Sequence, residues 1–226
     1  MTTFGEAYQA TRRSVVDLVT GISEEEASRR VPACPDWRVR DVLAHLAGIA
    51  VDATKGDLEG VGSPEWTRRQ VDERADRTIV EIVAEWDEAG RQIDGSLEYF
   101  PKAAASLFVG DTVTHEHDMR LPLGQPGDRS APAIELAVDG YVRWFGRRLK
   151  ERELPAVRLL ADGKEWVAGA GEPGAVAEAP SAFDLLRALT GRRTRDEIAA
   201  FRWTGERERF VDVFSMYGMP AAPLGE

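Results

Sequence analysis

The sequence predicts a mainly α protein. A helical bundle spans residues 1–152, and a small α+β domain follows over residues 153–226. Two observations predict it. From Phe4 to Leu149, apolar residues recur at helical spacing. Beyond Glu151, short β-type runs meet at an Asp-Gly pair and short helical patterns follow. At 226 residues the chain is long enough for a real core, and 43% apolar with 30% charged residues is a globular composition.

Phe4, Tyr8, Val15, Val16 and Val19 predict a first helix over about residues 3–20. Ser23 to Glu26 reads as a capping box opening a short turn. Val31-Pro32-Ala33-Cys34-Pro35 is expected to be extended, because two prolines disfavour helix. A second helix follows Asp36-Trp37 and runs to about Ala53, with Val42, Leu46, Ile49 and Ala50 as its apolar stripe and His45 at the stripe's edge. Ser63-Pro64 is a helix start, with serine as cap and proline at the first position. Residues 64–93 read as one helix or a broken one, with a capping box at Thr78-Glu81 inside it. A helix over 102–120 ends at Pro122, Gly124, Pro126 and Gly127. Pro132 to Leu149 is the last helix of the bundle. Residues 157–163 and 165–169 then form a hairpin turning at Asp162-Gly163. Residues 174–179 are a candidate third strand. Helices are expected over 182–190, closed by Gly191, and over 194–201. No internal repeat or low-complexity segment is present.

The net charge of −10 argues against nucleic acid and anionic membranes as partners. No apolar run is long enough for a transmembrane helix, and the N-terminus does not read as a signal peptide. The single cysteine, Cys34, excludes an intrachain disulfide framework and fits a reducing cytoplasm. Phosphate-binding loops, dinucleotide fingerprints and Gly-x-Ser-x-Gly elbows are absent.

The stretch Gly110 to Asp118 concentrates the chemistry, holding two of the three histidines. At about 100° per residue, Asp111, His115 and Asp118 share one helix face. Asp111 and His115, one turn apart, have ligand types that suit zinc and other divalent metals, and His45 on a separate helix could complete a three-ligand site with an open position. Asp118 could orient an imidazole N–H or receive a substrate group. His117 points roughly 240° away from Asp111, so it and Glu116 fall outside this set. Ordinary solvated or core roles compete with this reading. Cys34 precedes a helix start and reads as a nucleophile or, more simply, a small residue in a turn. The six tryptophans read as core or cleft packing.

Residues 31–48, VPACPDWRVRDVLAHLAG, resemble a pattern of the mycothiol-dependent maleylpyruvate isomerase family: Val-Pro, Cys-Pro-x-Trp and a helix with Ala-His-Leu. Gly110 to Gly124 resembles its second signature, an acidic residue, three residues, His, two residues and Asp. Ala182 to Arg193 resembles its C-terminal signature. The resemblance implies a DinB-like four-helix bundle with a small C-terminal domain. It implies a divalent metal, zinc foremost, held by His45, Asp111 and His115; Asp118, on the same helix face, is expected as a catalytic or supporting residue. The founding isomerase has glutamate where this chain has Asp111. The resemblance also implies mycothiol as thiol cofactor or co-substrate and a small electrophile as substrate, with isomerisation or S-transfer as the reaction; a cytoplasmic monomer or homodimer is expected. It does not fix the residues that bind the thiol; Arg74, Arg77 and Arg120 stand in plausible regions. A non-catalytic metal-stabilised binding module and a metal-dependent hydrolase are the competing expectations.

Overall fold

The computed structural model describes residues 2–226. In chain order it forms α1 (Phe4–Val19), α2 (Glu24–Ala27), β1 (Arg30–Val31), β2 (Cys34–Arg38), α3 (Val39–Lys55), α4 (Pro64–Asp72), α5 (Ile79–Asp94) and α6 (Lys102–Leu123). There follow α7 (Pro132–Glu151), β3 (Ala156–Ala161), β4 (Lys164–Ala168), β5 (Pro173–Glu178), α8 (Ala182–Leu189), α9 (Arg195–Ala199), β6 (Arg202–Gly205) and α10 (Glu208–Val211). The protein is mainly α. No helix among the described residues is long and apolar enough to cross a membrane. Two compact units emerge: Met1–Phe100 with His115–Gly127, and Pro101–Thr114 with Asp128–Glu226. The boundary falls inside α6, so one continuous helix contributes to both.

In the first unit, α1, α3 and α5 bury Tyr8, Val15, Val42, Leu43, Ile82 and Trp86. The Trp86 indole N–H donates to the Tyr8 hydroxyl at 2.8 Å, which satisfies two polar groups inside the core. Arg12 on α1 is also buried and pairs with Asp87 and Asp94 of α5. Gly90 makes room for it, since a Cβ there would stand 2.4 Å from the Arg12 Nε. The region 64–93 is broken, not continuous. Ser63 caps α4 by accepting from the Trp66 N–H at 3.1 Å, with Pro64 at the first position. Thr78 and Glu81 cap α5 reciprocally, at 2.7 and 3.2 Å. A capping box satisfies the free donors of a helix N-terminus, so it starts a new helix.

In the second unit, α7 crosses the first half of α6 closely. A Cβ on Gly110 would meet the Tyr141 ring at 2.8 Å, and one on Gly140 would meet the Ser106 Cβ at 2.7 Å. The sheet order is β4-β3-β5-β6. The predicted hairpin is β3–β4, turning where Asp162 and Gly163 both take positive φ, 51° and 74°. Two successive positive φ angles match the right-handed strand twist, and Asp-Gly tolerates them. β5 pairs parallel to β3, and β6 adds antiparallel to β5. Sequence reading did not anticipate β6 or α10, which are too short to show a period.

α6 differs from expectation at its end. It runs past Pro122 to Leu123 and stops at Gly124, whose φ is 66°. In the last turn a proline forfeits a single helical hydrogen bond, and the left-handed glycine supplies the stop.

Candidate metal centre

The β1–β2 hairpin leads directly into α3 and sets Cys34 and Trp37 at its mouth. Asp41 fixes the start of α3, accepting from the Arg38 backbone N–H at 2.8 Å and from its guanidinium at 2.9 Å. One turn further on, His45 is buried, 3% exposed. Its Nδ1 lies 2.7 Å from the Gln70 Oε1, and the Gln70 Nε2 donates to the Asp52 carboxylate at 2.7 Å. The Asp52 carboxylate only accepts, so the Gln70 amide nitrogen faces it and the amide oxygen faces the imidazole. In the neutral ring Nδ1 therefore carries the proton and Nε2 the lone pair. Gly48 admits this arrangement, since a Cβ there would stand 2.5 Å from the Gln70 Cβ. Arg74, buried and paired with Glu85 at 2.7 Å, donates to the Gln70 carbonyl and anchors the end of α4.

His115 stands on α6 with its Nδ1 2.9 Å from the Asp118 Oδ2. Asp118 is fully buried, and the Cys34 thiol donates to the same oxygen at 3.9 Å. The two imidazoles lie 5.4 Å apart and perpendicular, with the Trp37 ring 5.0 Å from His45 and 6.1 Å from His115. Trp66 meets His45 edge-on at 6.3 Å. Asp111 is one turn before His115 on the same helix. Ligand-type atoms of His45, Asp111 and His115 all lie within 4.8 Å of one another, and those of Cys34, His115 and Asp118 do the same. The predicted residues His45, Asp111 and His115 are thus brought together, and Asp118 joins them through His115. His45 has an orienting carboxylate behind it, Asp52 through Gln70, and His115 has the Asp118 carboxylate close beside its ring. Neutral imidazoles held this way, with a carboxylate beside them, suit a divalent metal of the zinc type.

Tyr217 faces Asp111. Burial and then the Asp111 carboxylate push its pKa up to about 12, against Arg192 and a hydrogen bond with Tyr141.

The rest of the 110–118 stretch serves packing. Residues 112–119 are all buried, so α6 has no solvated face here, contrary to the ordinary expectation for Glu and His on a helix. Glu116 accepts from the Ser14 hydroxyl at 2.6 Å and from Arg120 at 2.9 Å. His117 lies where a Gly127 Cβ would approach it to 2.9 Å. Arg74, Arg77 and Arg120 are engaged with Glu85, Glu85 and Glu116. Sequence reading did not find Gln70 or Asp52. Asp52 shares a helix face with His45 seven residues earlier, which is a usable signal; Gln70, in a strongly polar helix, offers none.

Residues 8–123 match the family model of the mycothiol maleylpyruvate isomerase N-terminal domain. Two crystal structures of the mycothiol-dependent maleylpyruvate isomerase share the fold. A histidine-to-alanine mutant of that enzyme is 13% identical, covering 91% of this chain and 97% of that one, with a TM-score of 0.58. The second is 14% identical, covering 85% and 92%, with a TM-score of 0.56. No curated protein sequence matches the chain. With half of the chain under the family model and its fold shared over most of its length, this protein belongs to the mycothiol maleylpyruvate isomerase family.

Proposed function

We propose that this protein is a metal-dependent enzyme that uses mycothiol to act on a small electrophile, by isomerisation or S-transfer. The convergence of His45, Asp111 and His115 in a chain of this family carries the reading. A divalent metal, zinc foremost, would be held by these three residues and would lower the pKa of a thiol bound beside it. The thiol supplies a nucleophile for an activated double bond or an electrophilic carbon.

The chain's own residues prepare the site. Gln70 holds a proton at the Nδ1 of His45, so that ring keeps a lone pair on Nε2, and the Asp118 carboxylate stands beside the His115 ring. Sequence reading left Asp118 two roles. Its complete burial and its contact with His115 favour the orienting role over direct contact with substrate. Trp37 and Trp66 supply apolar surface at the imidazoles, which favours a dry site. A reducing compartment suits this chemistry.

Metal analysis of the purified protein, followed by a calorimetric titration with mycothiol, tests the proposal. The expected result is about one divalent metal per chain, lost in His45→Ala and in His115→Ala, and thiol binding only by the metal-loaded protein. Metal content unchanged in both variants would overturn the ligand assignment. Turnover of an electrophile with no thiol present would favour the hydrolase.

A further inference from the structure

The second unit holds another concentration of charge, which the metal chemistry does not use. Arg187, Arg192 and Arg193, on α8 and the turn after it, are all buried. The guanidinium carbons of Arg129, Arg187 and Arg193 stand 4.7, 5.8 and 5.8 Å from the centre of the Phe183 ring. Aromatic faces stabilise such cations, but buried guanidinium groups also demand anions. Asp184 supplies one, 2.9 Å from the Arg193 Nη2. Glu226 supplies the other. Its carboxylate takes a two-pronged grip from Arg187, through Nε at 2.9 Å and through Nη2, and a third bond from the Arg193 Nη1 at 2.7 Å. A planar fork matched to both carboxylate oxygens is how arginine recognises carboxylate ligands.

The two halves of this contact are built differently. The arginines are fixed: Arg187 is part of α8, fully buried, and its Nη1 donates to the Thr114 carbonyl of α6 at 3.1 Å. The carboxylate arrives on irregular chain. Among the described residues no helix or strand follows Val211; Ala221, Ala222, Pro223 and Gly225 are exposed, and Met219, Pro220 and Leu224 are only half-buried. A segment with so little buried apolar surface contributes little to holding the Glu226 carboxylate in place. The preorganised partner is the cationic one.

We propose that Arg187 and Arg193 form a binding site for the carboxylate of a small-molecule ligand. Glu226 occupies it from within the chain, and the ligand takes it by displacing residues 219–226. The exchange conserves charge: one carboxylate leaves the guanidinium groups for water and another replaces it. Because the occupant is tethered, it competes at a high effective concentration, so the ligand binds more weakly than the site alone would allow.

The test uses succinate as the probe, on metal-free protein without thiol, so failure of the metal and thiol reading leaves its outcome untouched. Calorimetry compares the wild-type protein with Glu226→Gln, and sodium chloride at matched ionic strength serves as control. The expected result is succinate binding at least tenfold tighter in Glu226→Gln. That variant should unfold at lower temperature in chloride and recover in succinate, and Arg187→Gln should not bind. Equal succinate affinity in wild type and Glu226→Gln would overturn the proposal, as would stabilisation no greater than with chloride. If Glu226→Gln fails to fold, hydrogen exchange of the wild-type protein decides. Saturating succinate should speed exchange across residues 219–226, and unchanged exchange there would overturn the displacement.

Discussion

Gln70 shows how a residue without any sequence signal can govern a site. Its amide bridges the Asp52 carboxylate and the His45 imidazole, and it is completely buried. Gln70→Leu would leave the His45 Nδ1–H without its acceptor, at a cost of about 1–3 kcal/mol in stability. Loss of such an orienting partner weakens metal binding by about 10–100-fold, measurable by competition with a chromophoric chelator. Unchanged affinity would show that the amide does not orient the ring.

Glu226 allows a pH prediction with a defined sign. Burial raises its carboxyl pKa, but Arg187 and Arg193 together outweigh that and hold it below the ordinary 4.5. A depressed carboxyl pKa contributes stability above the unfolded-state value and loses it as pH falls through the folded-state value. Stability should therefore drop below about pH 4.5, and part of that drop should vanish in Glu226→Gln. Chemical denaturation at pH 7 and pH 3.5 checks it; identical losses in both proteins would exclude a role for this carboxylate.

At the scale of elements, helix starts were the most readable features. Ser23-Glu26, Ser63-Pro64 and Thr78-Glu81 each open a helix, because capping is chemistry within four residues. The Thr78 box also explains why 64–93 is broken. Packing between elements was not readable. α3 and α4 approach through Gly48, where a methyl group would overlap the Gln70 side chain. Gly48→Ala should cost about 1–3 kcal/mol through overpacking. It should also weaken metal binding, because the atom it displaces belongs to the residue that orients His45. Thermal unfolding paired with the chelator titration separates the two effects; a stability loss with intact affinity would place the strain elsewhere. In the hairpin, Gly163 has a φ of 74°, so Gly163→Ala should cost about 1 kcal/mol. Equal unfolding midpoints would contradict the turn conformation.

For the whole molecule, α6 is the organising element. It carries Asp111 and His115 and is buried all round across residues 112–119, and it runs from one compact unit into the other. A metal held as proposed, by residues from α3 and α6, would tie together chain segments some seventy positions apart, and binding to the folded state alone would stabilise it. At a free metal concentration a thousandfold above Kd, this amounts to about 4 kcal/mol. Stripping the metal with a chelator should lower the unfolding temperature, and readdition should restore it. A midpoint indifferent to chelation in protein of proven metal content would show that the metal does not cross-link the fold.

The sequence by itself determined the mainly α class, the helix starts, the Asp-Gly hairpin and the one-turn spacing of Asp111 and His115. All of these depend on chemistry between residues close in the chain. Its three signature stretches also pointed to the family. Only the tertiary structure decided that Gln70 and Asp52 stand behind His45, that the Cys34 thiol reaches Asp118, that Glu116 belongs to Ser14 and Arg120, and that Glu226 fills the grip of Arg187 and Arg193. Those partners are joined by packing across tens of residues. No periodicity encodes them, because a buried polar group takes whichever complementary partner the folded chain delivers to it.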